Sequence, residues 1–213
     1  MRENRYIAIE GSIGVGKTSL AKILAEFFKA ELILEKTNEN PFLKNFYKDK
    51  SKYGFQTQTF FLLNRYAQQI ELKQRNLFNT VTVSDYLFQK DRLFASLILN
   101  ENEFSLYENI FNLLKERIPT PDLVIYLQAS TEILMGRIRH RSRHFEKNID
   151  FKYIDKINRA YNNFFFHYKD SPLLVISTSD IDFIKEEACL KELIQKICRH
   201  KEGKEFYVPL KSK

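Results

Sequence analysis

The run Gly11-Ser12-Ile13-Gly14-Val15-Gly16-Lys17-Thr18 fits the pattern G-x-x-x-x-G-K-[ST]. In such a loop the peptide N–H groups converge on phosphate oxygens, Lys17 neutralises their charge, and the Thr18 hydroxyl is offered to Mg²⁺. Glycine is required because the backbone must curl around an anion with no side chain in the way. The stretch Gly11 to Ser19 therefore reads as a site for the phosphates of ATP. Its setting agrees: Tyr6-Ile7-Ala8-Ile9-Glu10 reads as a short buried strand, and Ser19 to Lys29 as a helix whose N-terminus faces the phosphates.

Such loops serve switches, motors, helicases and kinases, so other residues must decide the reaction. Glu35 follows the second apolar run, where a parallel sheet places its ligand edge, and a base is needed there if a hydroxyl is to attack a γ-phosphate. A carboxylate merely facing water is the alternative. Arg137 and Arg141, four apart on one helix face, with Arg143 just beyond, could stabilise transferring phosphate as a lid; a solvated basic face or a nucleic-acid contact is the other reading. Asp85 ends the third strand and could hold Mg²⁺, directly or through water, orient the acceptor hydroxyl, or cap the next helix.

The elements that position these residues alternate. Strands are expected at Glu31 to Leu34, Thr80 to Val83, Asp122 to Leu127 and Leu173 to Ile176. Helices are expected over Tyr53 to Arg75, around Leu93 to Ile98, from about Ser105 to Arg117, from Thr131, over Asp150 to Tyr168 and over Ile184 to Ile197. The Pro119-Thr120-Pro121 stretch breaks the chain before the fourth strand. With the first strand this predicts an α/β fold: a five-stranded parallel sheet flanked by helices, with an arginine-rich lid. One domain over residues 1–200 and a loosely held basic tail over 201–213 are expected.

Lys+Arg 34 against Asp+Glu 27 gives a net charge of +7, but the basic residues are scattered apart from the lid cluster. A surface that attracts small phosphate-bearing molecules is preferred to one that binds nucleic acid. Cys189 and Cys198 have no metal-ligand spacing and read as free thiols of a reducing, cytoplasmic setting. No run approaches the roughly 18 apolar residues of a membrane span. The guanine-reading Asn-Lys-x-Asp of a GTPase is absent, and a helicase or transporter ATPase ordinarily needs more chain. A kinase acting on a small acceptor remains.

The ordered series Ile9 to Ser19, Glu35, Asn40-Pro41-Phe42, Phe46-Tyr47, Gln58-Thr59-Phe60-Phe61-Leu62, Arg65, Asp85, Asp91-Arg92-Leu93-Phe94-Ala95, Arg137 to Arg143 and Glu146 resembles the deoxyribonucleoside kinases over about residues 5 to 180. The resemblance implies phosphate transfer from ATP with Mg²⁺ to the 5′-hydroxyl of a deoxyribonucleoside, with purine deoxynucleosides or deoxycytidine favoured. Glu35 would be the general base, Gln58 would pair with the nucleobase, Tyr47 and Glu146 would hold the sugar 3′-hydroxyl, and Arg65 and Asp91 would line the base pocket. Gln58 and Arg65 are two helical turns apart and can face one pocket. A homodimer is also implied. One departure stands out: many members carry arginine where this chain has Tyr86, and its duty passes to Lys90, Arg92 or a lid arginine, or is absent. Thymidylate kinase, which shares loop and lid, is the competing enzyme; a nucleotide-dependent regulatory or nucleic-acid-binding protein is the competing non-enzyme.

Overall fold

The computed structural model describes residues 5–75, 81–141, 149–179 and 187–209. Its chain divides into two compact units: Met1–Leu34, Asn79–Leu87 and Thr120–Lys213 form one, and Glu35–Phe78 and Phe88–Pro119 the other.

The first unit is built on a six-stranded parallel sheet of order β2-β3-β1-β4-β5-β6. The strands are β1 (Arg5–Gly11), β2 (Glu31–Ile33), β3 (Val81–Ser84), β4 (Leu123–Gln128), β5 (Leu173–Ser177) and β6 (Lys204–Tyr207). At the centre, β1 and β4 are buried at every position but one each, so both faces are covered, and their continuous apolar runs are what a doubly covered parallel strand requires. Their start is pinned by Asp122: its carboxylate accepts the Tyr6 N–H at 2.6 Å, and its own N–H donates to Tyr6 O at 2.8 Å. Helix α1 (Lys17–Phe28) buries Leu20, Ala21, Leu24 and Ala25 on one face. It ends at Lys29, in the left-handed region, whose N–H reaches the carbonyls of Ala25 and Glu26.

The second unit is helical. It contains α2 (Leu43–Phe46), the long α3 (Lys50–Arg75), α4 (Lys90–Ile98) and α5 (Glu101–Lys115). A reciprocal capping box between Asn100 and Glu103 starts α5. The core here is Leu62, Phe88, Ala95, Tyr107 and Phe111, with the Phe88 and Phe111 rings stacked at 5.3 Å. Back in the first unit lie α6 (Thr131–Arg141), α7 (Phe151–His167), capped by Asp150, and α8 (Glu187–Arg199).

The expected sheet of five strands is corrected to six. The extra strand lies in the stretch read as a loose tail: Lys204-Glu205-Phe206-Tyr207 pairs with β5 as an edge strand. It buries only Tyr207 among its four residues, so its sequence carries almost no apolar pattern. Among the described residues, no helix is long and apolar enough to cross a membrane.

Candidate active site

The phosphate loop leaves β1 at Gly11 and enters α1 at Gly16. Gly14 has φ 83°, and a Cβ there would lie 2.8 Å from Ile138 Cγ1, so both conformation and space exclude other residues. The Lys17 ammonium curls back to the carbonyls of Gly11 at 2.8 Å and Ser12 at 3.2 Å, and lies 4.0 Å from Glu10. Thr18 Oγ1 donates to Asp85 Oδ2 at 2.6 Å. Asp85 is buried at the end of β3, where its N–H is held by Ile33 O. It does not cap α4, whose N-cap is Gln89.

A hydroxyl and a carboxylate converging in this way form a hard oxygen donor set that fits Mg²⁺. Among the described residues there is no cluster of three His, Cys, Asp or Glu side chains that could hold a metal alone. Phosphate oxygens and waters would complete the shell, as Mg²⁺ prefers.

Glu10, the last side chain before the loop, anchors it. Its carboxylate is fully buried and accepts from Gly11 N (2.9 Å), Leu87 N (2.8 Å) and the Tyr161 hydroxyl (3.1 Å). Three donors thereby hold the carboxylate that opens the loop, and sequence reading assigns this residue to a strand. The signal was present: an acid closing a buried apolar run needs internal partners.

Arg137 projects from α6 to Val15 O at 3.2 Å and to Thr178 through Oγ1 at 3.1 Å and the carbonyl at 2.7 Å. Its guanidinium thus touches the loop backbone itself. Arg141, four residues on, is exposed at the end of the same helix. Arg143 and Glu146 lie outside the described residues.

In the helical unit, Arg65 of α3 forks between two carboxylates: one terminal nitrogen meets Asp91 Oδ1 and the other Glu35 Oε1. Glu35 Oε2 takes Lys90 Nζ at 2.7 Å. All four groups are largely out of water, with side-chain exposures of 4% for Arg65, 2% for Asp91, 7% for Lys90 and 16% for Glu35. Glu35 is therefore not a water-facing strand end. The Arg65 guanidinium also lies 4.8 Å over the Phe61 ring. Gln58, on the same helix, is 3% exposed. Tyr47 follows α2, half-buried, with its ring edge-on to Phe46 at 5.5 Å. Asn40 ties the preceding segment to α3, accepting Phe42 N at 3.0 Å and donating to Thr57 O at 3.1 Å. The helical unit thus gathers Glu35, Arg65 and Asp91. Of the cations named as substitutes at Tyr86, Arg92 turns to Glu108 at 2.7 Å and is half-exposed, while Lys90 holds Glu35.

A phosphate loop with its hydroxyl–carboxylate pair, on a parallel α/β sheet, and a separate helical unit carrying a cation-bound carboxylate define a phosphate-loop phosphotransferase with a small acceptor. The chain belongs to the deoxynucleoside kinase family, whose model, "Deoxynucleoside kinase", matches residues 7–201. It is 34% identical over 201 residues to a deoxyguanosine kinase of Bacillus subtilis, covering 89% of this chain and 97% of that one. It is 30% identical to a deoxyadenosine kinase of Lactobacillus acidophilus, covering 91% and 94%. Among solved structures, deoxyadenosine kinase from M. mycoides with bound dATP is similar with a TM-score of 0.78 and 26% identity, covering 91% of this chain and 99% of that one. The chain is accordingly an enzyme that phosphorylates deoxynucleosides.

Proposed function

We propose that the chain transfers the γ-phosphate of ATP to the 5′-hydroxyl of a deoxyribonucleoside whose base bears an amino group, with Glu35 as general base. The observation that carries this reading is the Arg65 fork, which joins Glu35 to Asp91 in one buried cluster. Asp91 Oδ2 is buried with no hydrogen-bond partner among the described residues. A buried carboxylate oxygen needs a donor, and an exocyclic amino group of adenine, guanine or cytosine supplies one. Thymine has none. The Gln58 amide, able both to donate and to accept, is assigned to the base edge, and Tyr47, with Glu146, to the sugar 3′-hydroxyl.

In the transfer, the 5′-hydroxyl proton passes to the Glu35 carboxylate as the 5′-oxygen bonds to the γ-phosphorus. The bond from that phosphorus to the bridging oxygen breaks, and ADP keeps the electron pair. Lys17 and the loop N–H groups hold the phosphates. Arg137, Arg141 and Arg143 supply positive charge as negative charge spreads over the transferring group. Thr18 and Asp85 would hold Mg²⁺, which when bound neutralises charge on phosphate oxygens. Leu106 and Leu113 of α5, seven apart and 53% and 71% exposed, support a homodimer.

A panel of deoxyadenosine, deoxyguanosine, deoxycytidine, thymidine and thymidine monophosphate, each with ATP and Mg²⁺, tests the reading. Phosphorylation of one or more of the first three is expected; turnover of thymidine monophosphate alone would overturn it. Glu35→Gln is expected to lower kcat on the order of 10²-fold or more with a small change in KM.

A further inference from the structure

Lys90 is the first residue of α4, where the helix macrodipole presents positive charge and a cation is disfavoured. It is also buried, at 6% exposure, and an ammonium is costly to remove from water. Both costs require a specific partner, and the partner the structure shows is Glu35 Oε2 at 2.7 Å. The acid beside it in sequence, Asp91, is instead neutralised by Arg65.

The charges explain the choice. Glu35 and Asp91 are two carboxylates, and Arg65, which touches both, is one cation. Without Lys90, Glu35, Asp91 and Arg65 together would carry one net negative charge largely out of water, and such a charge is relieved by protonating a carboxylate. Asp91 is the less exposed of the two but faces the same guanidinium, while Tyr107, buried on α5 beside Arg65, carries a phenol whose ionisation burial suppresses. Lys90 is thus the group that balances Glu35. Both Glu35 carboxylate oxygens are held by these cations, and a carboxylate oxygen carries two lone pairs.

Resting on the reading of Glu35 as base, we propose that Lys90 is a positioning residue of the transfer, which keeps Glu35 an oriented, ionised acceptor for the 5′-hydroxyl proton. It does so across the pH range in which Arg65, shared with Asp91, could not do so alone.

The test is the pH profile of kcat for the best deoxynucleoside, with wild type, Lys90→Met, Lys90→Gln and Lys90→Arg. The acidic limb of both neutral variants is expected to move up by about one pH unit. Their kcat should recover in part on the alkaline side, with KM for the deoxynucleoside within about threefold of wild type. Lys90→Arg, which keeps the charge, should restore the wild-type limb. If a neutral variant is insoluble, the other two decide. A wild-type acidic limb in a neutral variant, or a uniform loss of kcat at every pH, overturns the proposal while leaving Glu35 as base. Failure of wild type to phosphorylate any deoxynucleoside overturns the reading of the site itself.

Discussion

Thr18 Oγ1 donates to Asp85 Oδ2 across 2.6 Å, so residues 67 apart in sequence meet where the phosphate loop becomes a helix. Asp85→Asn retains an acceptor for that hydroxyl but removes the negative charge a divalent cation needs. The expected result is a fall in kcat on the order of 10²-fold, with the Mg²⁺ concentration for half-maximal rate rising about tenfold. A magnesium titration of the initial rate reads both quantities. An unchanged magnesium dependence would remove Asp85 from the metal site.

Arg65 serves two buried carboxylates at once, so its removal is expected to cost more than one ion pair at a surface. Arg65→Met leaves Asp91 buried beside an apolar side chain and Glu35 with Lys90 alone. Breaking a buried pair in this way typically costs about 3 kcal/mol or more, and urea unfolding should show it. Arg65→Lys is expected to recover only part, because a single ammonium cannot reproduce a planar fork. A loss below about 1 kcal/mol would mean that water reaches the cluster in the variant.

Local signals carried much of this architecture. The loop pattern announces itself by its glycines and lysine, and the apolar runs of β1 and β4 by the continuous burial of a doubly covered parallel strand. Glu35 is legible from its place after the second apolar run, and Arg65 with Asp91 from the resemblance. Their convergence on one guanidinium depends on how α3 and α4 pack, which no single stretch encodes. The role of Glu10 was hidden for the same reason, since Leu87 and Tyr161 reach it from 77 and 151 residues away. The strand β6 was missed because an edge strand buries too little to leave an alternation, and its partner β5 is specified by position in the sheet rather than by composition.

The homodimer reading places Leu106 and Leu113 against a second copy. Both lie on one face of α5 and are exposed in the single chain. Replacing both by glutamate puts unpaired charge into such an interface while leaving the helix propensity of α5 nearly unchanged. Sedimentation at micromolar concentration is expected to give a dimer for wild type and a monomer for the double variant. Wild type sedimenting as a monomer would reject the homodimer.

At the edge of the sheet, Glu205 of β6 accepts from Lys196 Nζ at 2.5 Å and from His200 Nδ1 at 3.1 Å, joining the strand to the end of α8. The hydrogen bond from Lys196, reinforced by its charge and by His200, holds the Glu205 carboxyl below its ordinary value against a smaller opposing effect of burial. A carboxylate whose folded value is lowered adds stability above its unfolded value, and that stability disappears as the pH falls through the folded one. Glu205→Gln should therefore melt below wild type at neutral pH. Because the side chain is 40% exposed, the gap should be less than about 4 °C. It should narrow as acid protonates the wild-type carboxyl, and adding salt at neutral pH should narrow it as well. Thermal melts of both proteins across that pH range measure it, and a gap that persists once the wild-type carboxyl is protonated would show that its charge does not hold β6 in place.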